Sequence, residues 1–230
     1  METIQNGSLL NPTSTMESEI NLEAEKKKKF DWLLQSNYFK LPKRFKDKTL
    51  ENINGMEDKV RIAKETVSRG NSLLITGSCG TGKTHLAIGL MFFKFIDSMK
   101  IVPFRGQEKL KIAGTDLAFC FMPSVELFLE LKNSFGTETS ELDILTWYSS
   151  YDFLVIDDLG SEKVSDWSKQ IFYTLIDRRY RDMKQTIITS NLSLSQISEI
   201  IDDRISSRIT EMGGVMTLSG TDWRLKNAKA

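Results

Sequence analysis

Stretches in which apolar residues run without interruption alternate along this chain with stretches in which they recur every three or four positions. Ser72-Leu73-Leu74-Ile75-Thr76, Phe153-Leu154-Val155-Ile156 and Thr186-Ile187-Ile188-Thr189 are short apolar runs bounded by polar or glycine residues. Each predicts a strand buried on both faces. Asp116–Phe121 and Val215-Met216-Thr217-Leu218 predict two more. Between them, Glu57–Ser68 carries Val60, Ala63 and Val67 at helical spacing with Ile62 beside them, and Thr84–Met99 reads as a long apolar helix covered by the sheet. Ser124–Lys132 predicts a helix capped by Ser124, and Asp166–Arg181 another. Continuous apolar strands separated by helices predict an α/β fold in three layers, around a central, mainly parallel sheet of five strands.

Two regions interrupt this order. Residues 1–25 are polar, rich in Ser, Thr, Asn and Glu, without a sustained period. They are expected to remain a mobile arm, since they bury too little surface to offset the entropy of ordering. The basic run Lys26–Lys29 and the apolar cluster Phe30, Trp32, Leu33, Leu34, Tyr38 and Phe39 follow; this cluster must dock on the main domain or on a partner. The expected division is therefore a flexible arm with a docking segment over 1–40 and one domain over 41–230. Lys100–Lys111, KIVPFRGQEKLK, carries four basic residues against one Glu where a handful of residues would connect helix to strand, and reads as a surface loop or a hairpin. After Arg208 only a short segment remains, too short for a separate C-terminal helical lid.

Composition narrows the function classes. With 31 Lys+Arg against 31 Asp+Glu the formal net charge is +0, so no global field attracts nucleic acid or acidic lipid, and any such binding must be a local patch. Two cysteines, Cys79 and Cys120, and the single His85 exclude a disulfide framework or a Cys/His zinc cluster. The longest apolar stretch, Ala87–Phe93, is far short of a membrane span, and a reducing cytoplasm is the expected compartment.

The sharpest chemical signal is Gly77-Ser78-Cys79-Gly80-Thr81-Gly82-Lys83-Thr84, a complete G-x-x-x-x-G-K-[ST] pattern between a predicted strand and a predicted helix. Glycines let backbone N–H groups turn inward around phosphates, and the helix presents its positive end to the same anion. Lys83 supplies a point charge between the outer phosphates, Thr84 a hydroxyl for Mg2+, and Cys79 its backbone N–H. A phosphate cradle needs an acid for the metal, and Asp157-Asp158 stands at the end of a buried strand. Asp157 is the expected metal partner, and Asp158 is placed to orient or deprotonate an attacking water. Alone, the two carboxylates would read as a strand end capping the turn at Leu159-Gly160; beside the lysine loop they make better sense with a dication.

These residues resemble the AAA+ ATPases of the helicase-loader and IstB group, the DnaC-like proteins that assist bacterial and phage replicative helicases. The likeness covers roughly residues 41–224, and includes "YDFLVIDDLGSEKVSDW", with Gly160 and Glu162, and "LIDRRYRDMKQTIITSNLS". It implies a P-loop NTPase fold and further roles. Asn191 matches the sensor that contacts the terminal phosphate or the attacking water, although Ser190-Asn191 also reads as the start of a turn. "DDRISSRI" matches the segment bearing an arginine finger, assigned to Arg208 with Arg204 one turn earlier, which implies a homo-oligomer; the plainer alternative pairs both arginines with Asp202, Asp203 or Glu211. Arg224 in "TDWR" resembles a C-terminal arginine that substitutes for a second sensor. His85 is counted with the loop, where the family often has such a residue, with packing or capping as its expected work.

The implied function is an ATP- and Mg2+-dependent helicase loader that binds single-stranded DNA and a replicative helicase, with slow hydrolysis of ATP to ADP and phosphate in the absence of DNA or partner. The chain departs from the family pattern in having only 76 residues before Gly77, without zinc ligands, where such loaders carry a helicase-binding domain. The local basic patches Lys26–Lys29, Lys43–Lys48 and Arg105–Lys111, with Phe104 as a stacking ring, support DNA contact, or are solvated loops. Two alternatives remain: an IstB-like transposition helper that binds duplex DNA and a transposase, and a nucleotide-gated adaptor with little hydrolysis.

Overall fold

The computed structural model describes residues 12–35, 38–39, 41–104, 107–112, 118–161 and 164–220. Five parallel strands, β1 (Ser72–Thr76), β4 (Phe119–Pro123), β5 (Phe153–Leu159), β6 (Gln185–Ser190) and β7 (Gly213–Thr217), form one sheet in the order β4-β5-β6-β1-β7. Side chains alternate across it. Leu73, Ile75, Phe153, Val155 and Ile187 face one layer, containing α2 (Glu57–Ser68) and α3 (Lys83–Asp97). Leu74, Leu154, Ile156 and Ile188 face the other, built from α4 (Ser124–Asn133), α5 (Glu141–Ser150), α6 (Asp166–Arg181) and α8 (Asp203–Met212). A one-turn helix α7 (Leu194–Gln196) runs into a π-helical turn, Ile197–Ile201, before α8. The three-layer α/β architecture follows from the uninterrupted apolar strands: β1 and β6 are buried along their whole length, leaving no solvent face.

Several elements differ from the sequence reading. Pro12–Gln35 is a helix, α1, where a mobile arm was expected over 1–25; residues 1–11 lie outside the described set. Its end docks on the domain, with Phe30 4% and Leu33 6% exposed and the Phe30 ring edge-on to Phe92 of α3 at 5.0 Å. Helix α3 stops at Asp97, because Met99 opens an antiparallel hairpin, β2 (Met99–Phe104) with β3 (Gln107–Ile112). Of the two readings of 100–111 the hairpin is therefore the one formed. Strand β4 begins at Phe119, and 113–117 lie outside the described residues. Helix α5 escaped the sequence reading because the exposed Leu142 and Trp147 blur its apolar stripe; the missed signal was its capping box, Ser140 with Asp143. No helix among the described residues is long and apolar enough to cross a membrane.

Candidate functional site

The chemistry gathers at the carboxyl ends of β1, β5 and β6, where the strands give way to loops, the place at which open parallel sheets bind ligands. After β1 the chain turns through Gly77 at φ +144°, Gly80 at +77° and Gly82 at +93°, conformations that side chains disfavour. A Cβ on Gly77 would stand 2.2 Å from the Leu218 carbonyl oxygen, so this position excludes any larger residue. Gly82 caps α3, whose first residues are Lys83 and Thr84. Thr81 secures the loop by donating to the Ser78 carbonyl at 2.9 Å. The loop thus aims the amino end of a helix at one spot, ready for an anion.

Lys83, only 7% exposed, donates through Nζ to the Gly77 and Ser78 carbonyls and to Asn191 Oδ1, each at 2.8 Å. Asn191 follows the end of β6, and its Nδ2 donates to Asp158 Oδ1 at 2.9 Å. One amide therefore links the loop lysine to the second carboxylate. Cys79 Sγ lies 3.6 Å from the same Asn191 oxygen.

The two aspartates are separated by a bulge. Ile156 pairs with Ile188 and Leu159 with Ser190, so Asp157 and Asp158 together oppose the single residue Thr189. The extra residue, Asp158, takes φ +61°, a strained backbone region that an aspartate tolerates better than most side chains. Its N–H donates to Thr189 Oγ1 at 2.8 Å, and its carbonyl accepts from Ser124 Oγ at 3.0 Å and from the Ser161 N–H at 3.2 Å. The strain is thus held from both ends.

Asp157 is 8% exposed and accepts at Oδ1 from Thr189 Oγ1 at 2.6 Å and from Thr84 Oγ1 at 2.9 Å. Burial pushes its carboxyl above the ordinary range; the Thr189 and Thr84 hydroxyls pull it down, Asp158 pushes it up and Lys83 pulls it down again. A buried carboxylate beside a threonine hydroxyl is a hard-oxygen donor set suited to Mg2+, which ordinarily takes one or two protein oxygens and completes its shell with phosphate and water. No group of three or more His, Cys, Asp or Glu that would hold a metal unaided occurs among the described residues.

Lys83, Thr84, Asp157, Asp158, Asn191 and Cys79 thus form one bonded cluster. His85 turns elsewhere: its Nε2 is 2.8 Å from the Thr49 carbonyl, tying α3 to the preceding segment, and burial lowers its pKa. The bonds of Arg208 run to α6, to Asp177 and Tyr173. Of the pairings weighed for the two arginines, Arg204 with Asp202 forms, at 2.8 Å, whereas Arg208 takes a partner outside that set. Arg224 and Glu162 lie outside the described residues, as does Arg105. Sequence reasoning missed Thr189, the hydroxyl bridging both aspartates, and Ser124, read only as a helix cap; a polar residue ending an otherwise aliphatic strand was the available signal for Thr189.

A glycine loop, lysine and threonine facing an acidic strand end define a P-loop nucleotide-binding protein. The chain belongs to the family described as IstB-like ATP binding protein, whose model matches residues 19–230. It is 27% identical to the replicative helicase loader DnaC of Escherichia coli K12 over 139 residues, 60% of this chain and 49% of that one. With the insertion sequence IS232 putative ATP-binding protein of Bacillus thuringiensis subsp. berliner it shares 23% identity over 171 residues, 72% of this chain and 60% of that one. The chain spans about half the length of the DnaC relative. Among solved structures, the DnaC helicase loader aligns with a TM-score of 0.60 at 24% identity, covering 77% of this chain and 100% of that one. AMPPCP-bound DnaA from Aquifex aeolicus aligns at 0.59 and 20% identity, covering 79% and 53%. The fold is the AAA+ P-loop fold of these proteins.

Proposed function

We propose that the chain is an ATPase that loads or assists a replicative helicase, assembling on single-stranded DNA in a form controlled by bound ATP and Mg2+. The observation that carries this reading is the bonded path Lys83–Asn191–Asp158 beside Thr84–Asp157, which brings the phosphate-binding lysine to the water-orienting carboxylate. The similarity to a replicative helicase loader supports the choice of partner.

The loop N–H groups of 77–84 and the Lys83 ammonium would hold the phosphate chain, and Lys83 would exchange its bonds to the Gly77 and Ser78 carbonyls for phosphate oxygens. Thr84 and Asp157 would hold Mg2+, which when bound neutralises phosphate charge. Asp158 would take or direct the proton of the attacking water, held in place by Thr189 and Ser124 through its backbone and by Asn191 through its carboxylate. Asn191 can accept from Lys83 and donate to Asp158 at once, so it reports the position of each to the other. Arg208 of a neighbouring copy would complete the site, and Arg224 would serve as a second sensor.

Contact with single-stranded DNA would use the β2–β3 hairpin, whose sequence carries Lys100, Lys109 and Lys111. Docking of a helicase would use what α1 and the turn after it leave outside the core, including Trp32, 58% exposed, and Tyr38, 50% exposed.

The test is a pull-down of purified hexameric helicase by wild type and Lys83→Ala, with and without ATP, alongside ATPase rates on single-stranded and duplex DNA. Recovery of helicase only by the nucleotide-competent protein, with stimulation by single strands, is expected. Stimulation by duplex with no helicase recovered would favour the transposition-helper reading, which the likeness to an insertion-sequence protein keeps in play. Nucleotide-dependent recovery without turnover would mark a nucleotide-gated adaptor.

A further inference from the structure

Helices α6 and α8 pack against each other, and their exposed edge is built around one tyrosine. The Arg204 guanidinium lies 4.2 Å from the Tyr173 ring centroid and the Arg208 guanidinium 4.8 Å from it; Arg208 is also 5.6 Å from the Tyr180 ring. Arg208 donates through Nε and Nη2 to a single oxygen, Asp177 Oδ1, at 2.7 and 2.6 Å, and through Nη2 to the Tyr173 hydroxyl at 3.0 Å. The other oxygen of Asp177 accepts from Arg181 at 3.0 Å. The Asp177 and Arg208 side chains are 16% and 23% exposed, whereas Arg204, bound to Asp202, is 59% exposed.

These contacts fix one edge of the Arg208 guanidinium. Of its five N–H donors, those on Nε and Nη2 are directed at Asp177 and Tyr173, while Nη1 makes only a 3.4 Å bond to the Arg204 carbonyl. Because Asp177 is divided between Arg208 and Arg181, it anchors Arg208 without cancelling its charge. A long side chain loses much rotamer freedom when it must reach across an interface; here the restriction is already imposed inside the subunit, with the Nη1 edge left to meet an anion.

We propose that Asp177 and Tyr173 are positioning residues that hold Arg208 ready for the polyphosphate bound by a second copy of this chain. The inference rests on the reading of Arg208 as the arginine that completes a neighbour's site. It predicts that the two α6 residues affect hydrolysis in the adjacent subunit and not in their own.

The experiment is ATPase kinetics on Arg208→Ala, Asp177→Asn and Tyr173→Phe, each alone and mixed in excess with Asp158→Asn protein. Asp158→Asn subunits are expected not to hydrolyse ATP, as a measurement on that protein alone checks, but carry an intact Arg208 with its α6 anchor. Arg208→Ala should lose on the order of a thousandfold in kcat. Asp177→Asn should lose about tenfold and Tyr173→Phe roughly threefold, with KM for ATP nearly unchanged. Mixing with Asp158→Asn should restore turnover at the Arg208→Ala and Asp177→Asn sites, because the neighbour then supplies the arginine. Wild-type turnover in both α6 variants, beside a deficient Arg208→Ala, overturns the positioning role. So does an Asp177→Asn defect that mixing leaves uncorrected while Arg208→Ala is corrected, since the damage then lies within the mutated subunit. An Arg208→Ala protein that is fully active, or that mixing fails to correct, overturns the parent reading of Arg208 instead.

Discussion

Replacing Thr189 with valine isolates one hydroxyl in the site while keeping the volume of the side chain. Thr189 is 1% exposed, and its Oγ1 donates to Asp157 Oδ1 at 2.6 Å while accepting from the Asp158 N–H at 2.8 Å. Valine ends both bonds. The first is charge-assisted and worth about 1.5–3 kcal/mol; the second leaves a buried amide unpaired, costing about 1–3 kcal/mol. Asp157 keeps Thr84 and some access to water, so we expect a net loss of about 2–4 kcal/mol, and a melting temperature lower by roughly 5–15 °C for a chain of this size. The same change removes one of the bonds that hold the backbone of Asp158 at its strained φ, leaving Ser124 and Ser161 on its carbonyl and Asn191 on its carboxylate, so the carboxylate is aimed less tightly. Turnover should fall by about tenfold while KM for ATP changes little, because Lys83 and the glycine loop are untouched. There is also a signature in pH. The Thr189 hydroxyl holds the Asp157 pKa down against the effect of burial. Its loss raises that pKa further, so the acidic limb of the ATPase profile should move to higher pH. Equilibrium denaturation, calorimetry and a pH–rate series read the three effects. A variant within about 0.5 kcal/mol of wild type with unchanged turnover would refute the bridging role.

Asp157→Asn should stabilise the ligand-free protein at neutral pH while abolishing hydrolysis. The carboxyl is raised in the fold, so its ionisation opposes folding; that cost is absent below the unfolded pKa, grows as pH rises through the folded value and is complete above it. The thermal advantage of the variant should therefore shrink on acidification, as scanning calorimetry across pH would register. Arg179 is fully buried and donates to the Tyr148, Ser149, Tyr151 and Gln185 carbonyls and the Thr186 hydroxyl, with its pKa lowered by burial to about 10. Arg179→Met should cost about 4 kcal/mol or more in urea denaturation, since it strands carbonyls where α5 ends; a cost below about 1 kcal/mol would contradict that role. Phe30→Ala should lower the melting temperature and expose α1 to proteolysis, with a loss of about 3 kcal/mol from the aromatic cluster over α3.

The parts of this molecule that repeat a local rule were legible in the sequence. The aliphatic runs at 72–76 and 153–156 and the amphipathic segments 57–68 and 166–181 became the elements their periodicity predicts, since each buries its apolar residues in a way that spacing alone dictates. The placement of the glycine loop at the end of β1 and of Asp157 at the end of β5 was equally plain, because each follows directly on an apolar run. What stayed hidden depends on distance in the chain or on a break in period. Nothing near Arg208 points to Asp177, which lies 31 residues earlier on another helix. The bulge that sets Asp157 and Asp158 against Thr189 cannot be read from one strand, because it is a mismatch between two. Helix α1 lacks a clear apolar stripe over most of its length, and its docking rests on Phe30 and Leu33 meeting a face that α3 provides.

The loop over 77–84 and the acidic end of β5 are expected to bind Mg-ATP as one site. Isothermal titration of Mg-ATP into the wild-type protein and into Lys83→Ala measures that binding. Wild type should bind with a dissociation constant of about 1–100 μM, and the variant should be weaker by roughly a hundredfold or more, as expected when a charged contact to phosphate is lost. A wild-type protein that takes up no Mg-ATP at millimolar concentration, or a Lys83→Ala protein that binds as tightly as wild type, would rule out this loop and strand end as a nucleotide site.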